Sequence, residues 1–321
     1  MNIKKIGLSA LAGSLVAVSA NAGEMSVAGS ASLGIEHTQG GAASSGKTFS
    51  MGNQLTFTGS GELDNGLNVS LSFVIDQADD KTAPNSLGTA PFDSHSLTVS
   101  SDSLGTIVFH GEGGSSAQSA LDGSAAGDIW DSFDGDVTGD VVISSSATSD
   151  NMIVYTTPAI MDGLSLSASY VPTGSGANSA TSWAATYTGV EGLSVSYGVG
   201  DGNSTANDTD ATSMKASYAY GPVTVAYSNH EFDTNASNGD QEMDSYKLSY
   251  TVSDELSISY GAETIEETGH TEDTETSKIS ISYTAGGMTI TASSADIENS
   301  AGGTNATEDR ETWALGASFA F

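Results

Sequence analysis

Carboxylates are the side chains in this sequence whose number and spacing could do chemistry. Asp and Glu total 40 against 8 Lys and Arg. They concentrate in "EGGSSAQSALDGSAAGDIWDSFDGDVTGDVVISSSATSD", about 112–150, with Asp122, Asp128, Asp131, Asp134, Asp136, Asp140 and Asp150 and no basic residue. Within it, "DGDVTGD" sets Asp134, Asp136, Thr138 and Asp140 at alternate positions with a Gly, like the opening of an EF-hand calcium loop. The Glu needed to finish such a loop is replaced by Ser145, and no helical pattern flanks the segment, which speaks against an EF-hand. A looser Ca²⁺ site at Asp134, Asp136 and Asp140 is the metal expectation, with "DGNSTANDTD" (Asp201 to Asp210) a weaker one. No cofactor is required. The other chemistry is electrostatic. Clustered Asp in a narrow passage lowers the energy of a cation and raises that of an anion.

Catalysis finds little support. His37, His95, His110, His230 and His270 show no metal spacing, and no G-x-S-x-G elbow is present. Carboxylate pairs of glycosidase type arise by chance at this Asp and Glu content. There is no Cys, hence no disulfide, thiol nucleophile or thiolate ligand. The net charge of −32 repels phosphate backbones, so no nucleic-acid partner is expected. An enzyme is not expected either.

The elements that must position these carboxylates are strands. Residues 1–22, "MNIKKIGLSALAGSLVAVSANA", combine Lys4 and Lys5, an apolar run from Ile6 to Ser19 and a small-x-small end at Ala20-Asn21-Ala22. That is the pattern of a secretory signal peptide, leaving 23–321 as the exported chain. No later run approaches the ~18 apolar residues of a membrane helix. Instead a short turn followed by an alternating strand recurs at Leu164, Leu193, Val223, Leu256 and Met288, with spacings of 29, 30, 33 and 32 residues. Each unit passes through a long polar loop into a second strand, such as "TSMKASYAYG" or "DSYKLSYTVS". Short turns alternating with long loops predict an all-β, antiparallel transmembrane barrel of about 16 strands.

Period-two alternation also assigns faces. Leu193, Val195, Tyr197 and Val199 oppose Ser194, Ser196 and Gly198, and the same contrast recurs along the chain. The apolar stripe suits lipid and the small hydroxylic stripe a wet lumen. Tyr187, Tyr218, Tyr220, Tyr250, Tyr283 and Phe319 precede short turns or the chain end, as an interfacial aromatic girdle would. By the same rule Lys215, Lys247, Lys278 and Arg310 face inward, a basic wall beside the carboxylates. Together they predict a field across the lumen.

Signal peptide, alternating strands, acidic loops and a final strand with Trp313, Leu315, Phe319 and Phe321 resemble a Gram-negative outer-membrane porin. The likeness is to the Rhodobacter-type general porins of alphaproteobacteria, and it rests on pattern along 23–321. It implies a homotrimer of water-filled channels in outer-membrane lipid and lipopolysaccharide. Small hydrophilic solutes and cations would pass, and the insertion machinery would read the terminal strand. It also implies that the third long loop, 112–150, folds into the lumen, where Trp130 and Phe133 could pin it to the wall. A ladder of Arg opposite this loop, present in many porins, is absent here. Divalent ions could bridge the acidic outer loops to lipopolysaccharide. The alternative is a secreted β-solenoid, an adhesin or surface-layer protein. It would need neither a terminal Phe strand nor loops alternating in length.

Overall fold

Alternation becomes sixteen strands in the computed structural model. It describes residues 23–40, 46–76, 92–133, 141–145, 150–172, 179–235, 239–304 and 308–321, apart from 204–207. The expected signal peptide lies outside them. The strands are β1 (Glu24–Gln39), β2 (Gly46–Glu62), β3 (Asn68–Asp76), β4 (Ser94–Ser101), β5 (Gly105–Glu112) and β6 (Met152–Thr156). There follow β7 (Leu164–Val171), β8 (Ala180–Tyr187), β9 (Leu193–Asn203), β10 (Asp208–Tyr220) and β11 (Val223–Thr234). β12 (Gln241–Thr251), β13 (Leu256–Glu267), β14 (Thr274–Ala285), β15 (Met288–Glu298) and β16 (Arg310–Ala320) complete the set.

Every strand pairs antiparallel with its sequence neighbours, and β1 closes on β16 from Ser30↔Ala320 to Gln39↔Glu311. Phe321 exchanges two further backbone bonds with Gly29, N–H to O at 2.9 Å and 2.7 Å. Closure leaves no unpaired edge, which a sheet in hydrocarbon requires. A solenoid has open ends, so that alternative is set aside. Gly192 shows why the short turns carry Gly: its φ is +77°, and a Cβ there would lie 2.4 Å from the Ala219 carbonyl oxygen. No helix of the described residues is long and apolar enough to cross a membrane.

Outside, Trp183, Tyr197, Leu248 and Ile279 stand exposed on the lone barrel. All eleven tyrosines lie between β6 and β14, on outward positions. Outward aromatics on β1–β5 are instead Phe49, Phe57, Phe73 and Phe109. Among the described residues there is no central core. Buried apolar side chains gather where the segment between β5 and β6 presses on the wall, as in Ile129 and Phe133 against Ala295 and Ile297.

Candidate functional site

The segment between β5 and β6 passes along the inner wall from β7 round to β16, and the wall holds mainly its backbone. Ala117 N–H donates to Ser169 Oγ at 3.1 Å on β7, and Gln118 N–H to Ser182 Oγ at 3.2 Å on β8. Gln118 Nε2 donates to Ser213 Oγ at 2.9 Å on β10. Ala125 N–H reaches Ser228 Oγ at 2.8 Å on β11, and Ala126 N–H reaches Ser245 Oγ at 2.9 Å on β12. Between them Gly198 of β9 leaves room: a Cβ there would meet Gln118 Cα at 3.2 Å. These serines are inward residues of successive strands. Buried backbone N–H groups must find acceptors, and the hydroxyl stripe supplies them.

Glu263 on β13 is the centre of the attachment. It is 2% exposed, yet its carboxylate accepts from Ile129 N–H at 3.0 Å, Trp130 N–H at 3.1 Å, Ser124 Oγ and Thr276 Oγ1 at 3.1 Å. The loop is shaped to present those donors. Gly127 and Asp128 have φ of +96° and +48°. The N–H groups of both donate to Ser124 Oγ, at 2.9 and 2.7 Å, leaving the next two for Glu263. Successive backbone N–H groups converging on one carboxylate make an anion nest, which stabilises a buried charge without a cation.

Trp130 packs beside Val141, Met243 and Ile265. Phe133 is 1% exposed, in the cluster with Ile129. Arg310 requires a correction. Its position is inward, but it is 2% exposed beneath the loop, with NH1 donating to Phe133 O at 3.2 Å and the guanidinium 5.7 Å from the Phe133 ring centre. It braces the loop and does not line an open flank, because the loop covers β16 where the alternation rule sees only parity.

Among the loop carboxylates, Asp122 and Asp128 are half-buried and Asp131 is exposed. Asp134, Asp136 and Asp140, the Ca²⁺ candidates, lie outside the described residues. No group of three or more metal-binding side chains occurs among the described residues. Burial pushes the Asp122 carboxyl above the usual carboxylate range. Nearby His230 opposes that shift, Asp128 adds to it, and Lys215 and the Gly123 N–H oppose it.

Lys215, Lys247 and Lys278 occupy inward positions of β10, β12 and β14 and are half-buried. Strand carboxylates divide by wall. Glu24, Glu36, Glu62 and Asp76 of β1–β3 share the inward parity of Ser30 and Ser72. Glu231, Glu242, Glu266, Glu275, Asp296 and Glu311 share the outward parity of the tyrosines and Trp313. Tyr187, Tyr218, Tyr220, Tyr250, Tyr283, Phe319 and Phe321 are exposed on the outer surface beside the short turns. Trp313 stands at the opposite end of β16, 5.9 Å from the His37 ring.

Sequence reasoning puts Glu263 on the inward face without singling it out. The usable signal was parity: it is a carboxylate turned inward on a wall where most face out. The anchoring serines carried none, being identical in pattern to serines that hold nothing.

A family model described as Gram-negative porin matches residues 7–262. Among solved structures, an anion-selective porin from Comamonas acidovorans has TM-score 0.70 at 15% identity, covering 93% of this chain and 99% of that one. An engineered variant of Rh. blastica porin has TM-score 0.67 at 17% identity, covering 93% and 100%. OmpT of Vibrio cholerae in its trimer form has TM-score 0.64 at 15% identity, covering 94% and 100%. A comparison with curated protein sequences finds no match.

Proposed function

The chain belongs to the Gram-negative porin family, an outer-membrane β-barrel channel and not an enzyme, and from that premise we propose that it is a cation-preferring, water-filled pore. Small hydrophilic solutes and ions cross it by passive diffusion. The observation carrying this reading is the loop fixed inside the barrel. It brings Asp122, Asp128 and Asp131 inside a barrel whose β1–β3 wall bears Glu36 and Asp76 at inward positions. These carboxylates outnumber the inward ammonium groups, since Arg310 is buried. A reversal potential across a KCl gradient tests the preference: a potassium-selective sign is expected, and a chloride-selective sign rejects it.

The oligomer belongs to the same proposal. The outward face of β1–β5 has Phe and aliphatic side chains but neither Tyr nor carboxylate, which suits a protein neighbour, a second and third copy of the chain. The tyrosine-bearing face between β6 and β14 suits lipid. Outward carboxylates such as Glu231 and Glu266, near the long-loop end, would meet lipopolysaccharide phosphates through divalent ions. The terminal Phe321 strand would be the part read by the insertion machinery. A Ca²⁺ ion at Asp134, Asp136 and Asp140 rests on the sequence alone, as does cleavage after Ala22.

A further inference from the structure

His230 on β11 is a buried titratable side chain for which passive passage has no use. Its position is inward, yet it is 1% exposed beneath the loop, so no solute in the lumen reaches the ring. Its two nitrogens face opposite arms of the loop. Nε2 lies 2.7 Å from Ser144 O, on the arm returning to β6. Nδ1 lies 2.8 Å from Ser213 Oγ on β10, and that hydroxyl accepts from Gln118 Nε2, on the arm leaving β5. A carbonyl oxygen can only accept, so Nε2 carries the ring proton. Nδ1 is then bare and takes the Ser213 hydroxyl proton. Gln118, Ser213, His230 and Ser144 O thus make one file of donors, all pointing from the outgoing arm to the returning one. Gln118 and Ser213 are fully buried in it.

Each arm also has holds of its own. Gln241 on β12 grips the returning arm on both sides of Ile143, its amide donating to Val142 O at 2.8 Å and accepting from Ser144 N–H at 2.9 Å. Val141 N–H donates to Ser300 O at 2.9 Å. The outgoing arm has Ser169 and Ser182. The file through His230 differs in tying one arm to the other.

A second ring proton breaks this file at one place. Nδ1–H would point at the Ser213 hydroxyl, which can accept only by turning its own proton toward Gln118. Either that proton goes unpaired in a site closed to water, which is costly, or the Gln118 side chain reorients. Nε2–H still points at Ser144 O, so the returning arm keeps its bond. Among the described residues, the charged groups around the ring are few. Asp122 of the loop, with Asp128 beside it, favours an imidazolium, and Lys215, one inward step from Ser213, opposes it. The inward neighbours Ser228 and Phe232 on β11 and Gln241, Met243 and Ser245 on β12 do not titrate, nor do residues 141–145.

We infer that His230 is a positioning residue, a clasp that couples the two arms of the constriction loop, and that a proton on Nδ1 uncouples the outgoing arm at Gln118 while the returning arm stays held. The clasp rests on the channel reading and adds a regulatory element to it. As the lumen acidifies, the stretch from Gln118 to Asp122 gains freedom.

Planar-bilayer recordings at neutral and mildly acidic pH test the clasp. Acidification is expected to raise the open-channel current noise of the native chain. In His230→Gln, which cannot take the proton, the noise should not change with pH. In Ser213→Ala, which cuts the file but keeps His230, it should be high at both pH values. The rise should persist in Asp122→Asn but shift to lower pH, since the neutral amide no longer favours the imidazolium. A rise that survives in His230→Gln or Ser213→Ala overturns the clasp, as does a native chain whose noise ignores pH. Heteronuclear NMR of the imidazole nitrogens in detergent gives a readout that needs no current, with the His230 signals identified by their loss in His230→Gln. The Nε2–H tautomer is expected at neutral pH, and the Nδ1–H tautomer overturns the clasp. A native chain that shows the expected tautomer but carries no current refutes the channel and not the clasp.

Discussion

Two walls of one barrel carry nearly the same inward stripe and use it differently. On β1–β4, inward residues such as Ser72 and Thr98 make no side-chain hydrogen bond to the loop among the described residues. On β7–β12 the serines at 169, 182, 213, 228 and 245 are occupied by loop donors. The charges reverse as well, with carboxylates turned inward on β1–β3 and mostly outward on β9–β16. A small polar side chain facing inward is thus a wetted surface or an acceptor for backbone, depending on what lies above it. The net charge of the chain is a poor guide to its passage for the same reason. Much of the negative charge is on the outside.

The contrast is broken most severely at Glu263. Glu263→Ala would strand the Ile129 and Trp130 N–H groups, each costing about 1–3 kcal/mol when left buried and unpaired. The expected result is a loosened loop, a higher single-channel conductance and a lower temperature for collapse of the folded barrel on a denaturing gel. An unchanged conductance would show that the wall does not hold the loop. Acidification probes the passage itself. Because the Asp122 carboxyl lies above the usual range, it takes up its proton at a higher pH than an ordinary carboxylate of about 3.9. Protonation removes negative charge from the constriction, so the potassium-over-chloride permeability ratio should fall with pH, starting above that ordinary range. Asp122→Asn should lower the ratio at neutral pH and abolish that early step, which titration of the reversal potential would reveal. The smallest effects sharpen the contrast. Ser245→Ala should cost about 1 kcal/mol by removing the Ala126 acceptor, while Ser72→Ala on the bare wall should stay within about 0.5 kcal/mol. Thermal collapse of the two variants on the same gel measures the difference.

The barrel was legible because lipid on one side and the lumen on the other impose a period of two, and turns such as Glu191-Gly192 interrupt it on schedule. The loop was legible from its length and from Trp130 and Phe133, which a purely solvated segment would not need. How the loop is held was not. That depends on contacts between residues up to 177 positions apart, as in Arg310 and Phe133, and no local pattern encodes them. Arg310 shows the limit: alternation gives the side a residue faces, and only the path of the loop decides whether water reaches it. The partition of carboxylates was present in the parity of each strand, and is lost when charge is summed over the chain.

Because the serine contacts on β7, β8, β11 and β12 grip main-chain amides, the fit at those points is largely indifferent to the side chains the loop carries. The letters of the constriction can change while its mooring stays. Natural variation, or a protein engineer, could exchange Asp122 or Asp131 without redesigning the scaffold that holds the loop.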